Sequence, residues 1–474
     1  NIKADSGIFY TVQFLICSEY KGTIMESSAR FLSLIFVAVF CFQFCYAVEV
    51  KTTYSWSPFI FKNLPHKGNS IVEEPYYPYY NSCNILPYSI DYHTPTNCYF
   101  LAFPRKSRSV PATIAYFNVK ENLNNKSPAF TGFPSYIHNY VPGWFGVDAL
   151  PADDYKYNIY QGYTKTTPYF KSHHFISVVY LAGIHDCSRL YFLDTGTLEY
   201  PEGNICVRPP IIWGFSIDGC SEHEFEKPPA LKVTIPAHLF KDPTGFGTMF
   251  LDHYGNCEEF AIYVLNNKDN RVIVYDNVKR SFWYFEHQTF RPFAEKPFLT
   301  DYNAPDDPYK LGVLALTLGQ AVNGYNDVYY APGSSCGLFN TSTSILRDYS
   351  LAPGKLNAPG FNFLGYSPPH HGAILLYDTT TGVIFSVKWL SNVLTCWNTK
   401  NPYNEKYVVT LFSDLQYGAD MLVDPERNIS FLLHATNANP IFERHHVHEY
   451  LSQIYTVNMD EIIRGTPCDP NYIG

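Results

Sequence analysis

One short pattern recurs along this sequence and limits the folds open to it. An apolar triplet, an aromatic-Asp or similar pair, a polar turn and a second apolar stretch follow one another. This happens from Ile114 (IAYFNVKENL), Ile211 (IIWGFSIDGC), Val272 (VIVYDNVKRSFWYF) and Ile374 (ILLYDTTTGVIFSVKW). Each phrase reads as a β-hairpin, because β-branched and aromatic residues fit a pleated surface and the polar turn reverses the chain. The starts lie 97, 61 and 102 residues apart, which suits one or two modules of about 50 to 70 residues per interval. Such a unit divides the chain into roughly six to eight modules around one axis, or into the hairpins of a sandwich. Other apolar stretches are short and end at Gly, Pro, Asn or Asp, so the one fair helix falls near Met459–Arg464. The proline-rich segments Pro75–Pro87 and Ser350–Gly360 are connections, since proline cannot donate to a sheet ladder.

The first residue is Asn1 and the first methionine is Met25, so residues 1–24 are read as upstream sequence outside the protein proper. From Met25, a single cation, Arg30, precedes the apolar run Phe31–Ala47, which ends Cys45-Tyr46-Ala47; residues 25–47 have the layout of a signal peptide. Ser33 and Gln43 interrupt the run, and it falls short of the ~20 apolar residues of a membrane span. Residues 48–474 are therefore expected to be one secreted, extracellular domain without membrane insertion. Beyond residue 47 stand Cys83, Cys98, Cys187, Cys206, Cys220, Cys257, Cys336, Cys396 and Cys468, an odd number with no C-x-x-C pair, so disulfides are expected rather than zinc. Sequons at Asn125, Asn340 and Asn428 agree with secretion as glycosylation sites. Aromatic residues are 17% of the chain and charged residues 16%, which excludes disorder. The net charge of −9 argues against nucleic acid as a partner and favours small cationic ligands.

The stretch Asp186–Gly196 (DCSRLYFLDTG) resembles the Cys-x-Arg-Leu-Trp-Val-x-Asp-x-Gly signature of the insect yellow / major royal jelly protein family. A second cysteine and a proline pair follow it, Cys206, Pro209 and Pro210. PRKSRSVPATIAYF from Pro104, RVIVYDNVKRSFW from Arg271, Thr395–Asn398 and IYTVNMDEIIRGTPC ending at Cys468 are similar to further family blocks, in the same order. The resemblance implies an all-β, six-bladed β-propeller whose closed ring surrounds a channel able to hold a small molecule. It also implies a Cys187–Cys206 disulfide inside the matching block. Arg189, Asp194 and Gly196 are then structural, since a buried Asp at a strand end caps turn amides.

No catalytic motif announces itself. The string Gly333–Gly337 (GSSCG) has the G-x-S-x-G spacing, but Pro332 before it and the Asn340 sequon after it make a loop rather than a strand-to-helix elbow. His445, His446 and His448 with Glu443 and Glu449 form the densest metal-competent cluster; it reads as a solvated loop, and neither metal nor cofactor is expected. His173-His174 and His370-His371 are adjacent pairs whose rings would point apart on a strand. The family includes salivary propellers that bind biogenic amines in the channel, and the resemblance implies Asp420, Phe431 and His434 as wall residues. Here the sequence departs from the family: His434 stands where the family has a pocket Asn, and Ala419 where it has a hydroxyl. The leading expectation is a secreted propeller binding a small aromatic, biogenic-amine or catechol ligand. The alternatives are a dopachrome-conversion enzyme with His434 as general base, and a structural or nutritional secreted protein.

Overall fold

The computed structural model describes residues 50–64, 81–82, 85–139, 174–200, 203–220, 228–300, 310–352, 358–368, 374–388, 391–413, 415, 417–435 and 451–472. Their strands form six sheets of four or five strands each, and a further two-stranded ribbon, Thr197–Tyr200 with Gly203–Cys206. The sheets are the blades of a β-propeller, as the sequence implied. Their inner strands are Ser89–His93, Val178–Ile184, Phe246–His253, Val313–Val322, Ile374–Asp378 and Tyr417–Val423, taken here as blades 1 to 6. Each inner strand touches the next, and that of blade 6 touches that of blade 1, so the ring is closed.

The repeated phrase holds different places within a blade. At Ile114, Ile211 and Val272 it forms the third strand of blades 1, 2 and 3, whereas at Ile374 it opens blade 5 as the inner strand. Only the phrases from Val272 and Ile374 continue into a hairpin, because Asn118 leads instead into a 3-10 turn, Lys120–Asn122. The expected helix is present as Met459–Ile463, with the Asn458 carbonyl oxygen of its side chain accepting from the Asp460 and Glu461 amides.

The core lies between the blades. Phe100, Phe133, Phe175, Phe192, Trp213 and Phe215 pack blade 1 against blade 2, and all are under 3% exposed. Each such side chain contributes on the order of 1.5–3 kcal/mol by leaving water, so these seams dominate the stability of the ring. The ring is closed by Lys51–Trp56, which pairs antiparallel with Leu451–Asn458 as the outermost strand of blade 6. Trp56 fixes that strand: it is fully buried, and its indole donates to Pro128 O at 2.9 Å.

Among the described residues three disulfides bind the blades: Cys98–Cys220, Cys187–Cys257 and Cys396–Cys468. The expected Cys187–Cys206 pair is therefore corrected. Cys187 precedes the six-residue strand Arg189–Asp194 and Cys206 lies beyond its far end, some 20 Å away at ~3.3 Å per residue, whereas a disulfide needs Cα atoms within ~7 Å. On its own side of the ring Cys187 meets the blade 3 hairpin turn, where Cys257 sits at a Cα separation of 5.7 Å. Arg189 guards the same contact, donating to Cys257 O at 2.9 Å and pairing with Glu258 at 2.7 Å.

Candidate functional site at the channel mouth

Inner strands alternate their side chains between the two neighbouring blades, as Leu316 does toward blade 3 and Ala315 toward blade 5, and two levels of the ring can be read along them. At one level the carboxylate of Asp420, in blade 6, is a junction. It accepts from Ser89 Oγ at 2.6 Å and Ile90 N at 3.0 Å in blade 1, from Tyr180 OH at 3.2 Å in blade 2, and from Met421 N at 2.9 Å. Ser89 Oγ in turn accepts from Leu181 N at 3.1 Å, so one buried carboxylate and one hydroxyl tie three blades together. Burial pushes the Asp420 carboxyl up to about 7, against the pull of its donors.

Toward the other end, the tips of the inner strands of blades 2, 3 and 4, with Asn326 of blade 4 and Thr379 of blade 5, line an open cleft of about 380 Å³. That is the size of a small-molecule site. Ile184, Leu251 and Leu318 supply its apolar wall; His185, Asp186, His253 and Asn326 supply polar groups, and among the described residues neither lysine nor arginine lines it. His185 Nε2 lies 3.1 Å from Asp91 Oδ1 of blade 1. Burial lowers the His185 pKa, but the Asp91 carboxylate more than offsets this and holds it above the ordinary value. His93, whose ring centroid is 5.7 Å from that of His185, is held below its ordinary value by burial and by His185.

Two glycines of the lining thin its wall. A Cβ at Gly183 would lie 2.6 Å from Asp91 Oδ2 and 2.7 Å from His185 Nε2; one at Gly319 would lie 2.6 Å from Tyr329 Cε2 and 3.1 Å from Asp327 Cβ. Only glycine leaves room there, and an aspartate stands behind each.

The residues named from the sequence are not gathered at this mouth. Asp420 is on an inner strand and committed to its four donors. Phe431 and His434 are on the second strand of blade 6, three residues apart and hence on opposite faces of the sheet. Both are about 1% exposed. The His434 ring stacks on Tyr417, its Nδ1 lies 2.9 Å from Ser452 Oγ, and burial pushes its pKa down to about 3. Ser335 is buried in a loop, where its hydroxyl donates to Glu295 and accepts from Gly337 N. Asn125 is exposed, while Asn340 and Asn428 are half-buried on strands and the Asn428 amide donates to Asp424 at 2.9 Å. The clusters at His445–Glu449, His173 and His370-His371 lie outside the described residues. Missed from the sequence were Asp91, His185 and Asp327. A sign was present in Ser89–His93, where Asp91 breaks a strand that is otherwise fit for burial, and in His185, one residue ahead of the matching family block.

Six blades whose inner strands close into a ring define a six-bladed β-propeller. Within that architecture the chain belongs to the major royal jelly protein family, whose model matches residues 176–468. It is 26% identical over 453 residues to the yellow-related salivary protein SP04 of Phlebotomus argentipes, covering 93% of this chain and 97% of that one. It is 27% identical over 456 residues to the yellow-related salivary protein SP03B of Phlebotomus perniciosus, covering 92% and 98%. Over 308 residues it is 29% identical to the yellow-related salivary protein LJM111 of Lutzomyia longipalpis, covering 62% of this chain and 74% of that one. Among solved structures it is similar to U3-55K at a TM-score of 0.41 and 8% identity, over 79% of this chain and 96% of that one, too distant to bear on function. No helix among the described residues is long and apolar enough to cross a membrane.

Proposed function

We propose that this is a secreted protein, mature from Val48, whose channel mouth binds a small amine-bearing aromatic molecule. The observation that carries the reading is the cavity of about 380 Å³ lined by Asp186 and, among the described residues, by no lysine or arginine, with Asp91 and Asp327 behind two of its glycines. Apolar walls with a few carboxylates suit an aromatic body with a cationic end. The salivary naming of the relatives and the net charge of −9 support secretion and a cationic ligand. Calorimetric titration with serotonin, dopamine, noradrenaline and histamine, alongside thermal unfolding, tests the proposal. Micromolar or tighter binding of any one supports it; no heat and no thermal shift overturns it for these ligands.

A second reading, a dopachrome-conversion type of enzyme, is favoured by one observation: an imidazole 3.1 Å from a carboxylate, lining the cavity. The general base would then be His185 rather than the buried His434. Turnover of dopachrome that is abolished in His185→Ala and kept in His434→Gln would decide for it.

A further inference from the structure

We propose that Asp327 anchors the ammonium of the ligand on the blade 4–blade 5 side of the mouth, with the Tyr329–Tyr377 ring pair beside it. This rests on the ligand-binding reading above and adds a residue and a charge to it.

The inner strand of blade 4 changes register between Leu318 and Ala321, and the irregularity brings Gly319 into the cavity wall. The absent side chain at Gly319 leaves Asp327 and Tyr329 directly behind the backbone at that point. Tyr329 and Tyr377 are stacked at 6.0 Å and 11°, and Trp397 meets Tyr329 edge-on at 6.0 Å. Thr379, two residues past Tyr377, lines the cavity from blade 5. Aromatic faces next to a carboxylate are the surroundings an alkylammonium takes up, through the ring quadrupole and a charge-assisted hydrogen bond.

What sets Asp327 apart is its want of partners. Asp252 accepts from Tyr263 OH and Asn326 Nδ2, both at 2.8 Å, and Asp378 is held by two nitrogens of Arg427 at 3.0 and 2.8 Å. Asp327 is half-buried, yet its carboxylate takes no hydrogen bond or ion pair from the described residues. Burial accordingly pushes its pKa up. The nearby cation is engaged elsewhere: Arg347 lies between the rings of Tyr254 and Tyr325, at 4.0 and 4.5 Å, and donates to Gly324 O at 2.8 Å. A partly desolvated carboxylate without a counter-charge is unfavourable, and a bound ammonium removes the cost.

The test compares phenethylamine with 2-phenylethanol, which share a ring and chain and differ in the cationic end. Wild type is expected to bind the amine about tenfold or more tightly than the alcohol. Asp327→Asn should erase that preference, leaving the alcohol unchanged and the thermal unfolding midpoint within a few degrees. Tyr377→Leu, which keeps the carboxylate, should weaken the amine several-fold more than the alcohol. If wild type prefers the amine and Asp327→Asn keeps the preference, Asp327 is not the anchor, and its loss in Asp91→Asn instead would place the ammonium behind Gly183. Should wild type bind neither these probes nor the four biogenic amines, the channel-mouth reading falls together with this one.

Discussion

Asp420 and Asp327 are the same chemical group in the same ring, the first on the inner strand of blade 6 and the second on the strand beside the inner strand of blade 4. The first is nearly fully buried and meets four donors from three blades; the second is half-buried and meets none among the described residues. The difference teaches that a channel carboxylate is structural where the protein supplies its donors and available to a ligand where it does not. The family resemblance points at Asp420 because sequence shows residue type and order, while the number of donors facing a carboxylate emerges only when distant strands meet: Ser89 and Asp420 are 331 residues apart.

The contrast is easiest to break by truncation. Asp420→Ala strands four donors in a dry interior and is expected to cost about 3–5 kcal/mol, whereas Asp327→Ala should fall within about 1 kcal/mol of wild type. Chemical denaturation of both variants checks this, and comparable losses would erase the distinction. Removing the Cys187–Cys257 bridge with a double serine variant should cost about 2–4 kcal/mol. The same change at Cys206 should cost far less, since the bridge does not use it.

Titration sharpens the comparison further, because the Asp420 level carries a second perturbed group of opposite sign. A carboxyl raised to about 7 gives stability that is complete below its unfolded value of 3.8 and is lost as pH climbs through 7. His434, lowered to about 3 by burial, gives stability that is complete above its unfolded value of 6.5 and is lost as pH falls toward 3. Between about pH 4 and 6.5 the two slopes oppose one another. Asp420→Asn should therefore become more stable as pH rises through that window, and His434→Gln less stable, relative to a flatter wild type. Parallel slopes in the three proteins would show that neither group titrates as its burial requires. The smallest effect expected is at Asp327 itself: burial raises its carboxyl too, so Asp327→Asn should gain slightly on wild type as pH rises above the unfolded value of 3.8.

Much of the fold was legible. The phrases at Ile114, Ile211 and Val272 mark one strand position in three consecutive blades, so their spacing reports blade length directly, and the helix at Met459–Ile463 carries its cap in the sequence. The phrase at Ile374 misled slightly, since inner and third strands share the same composition when both are sandwiched between blades. The site was hidden for a different reason. Gly183 and Gly319 look like ordinary strand irregularities in one dimension, and only the assembled strands bring Asp91 of blade 1 and Asp327 of blade 4 close behind them. The Cys187 partner was hidden by the same logic, since Cys206 is nearer in sequence and Cys257 is nearer in space.

The strand that closes the ring also sets a timetable. Lys51–Trp56 leaves the ribosome early, but its partner strand is Leu451–Asn458, and the hydroxyl contact between Thr53 and Thr456 spans 403 residues. At about 5–20 residues per second the early strand waits roughly 20–80 s for its neighbour. Throughout that interval an unpaired edge bearing Tyr54 and Trp56 is open to any other nascent chain. Such a protein completes its architecture only after synthesis has ended, and the crowding of the compartment in which it is made bears on its yield as much as its final stability does.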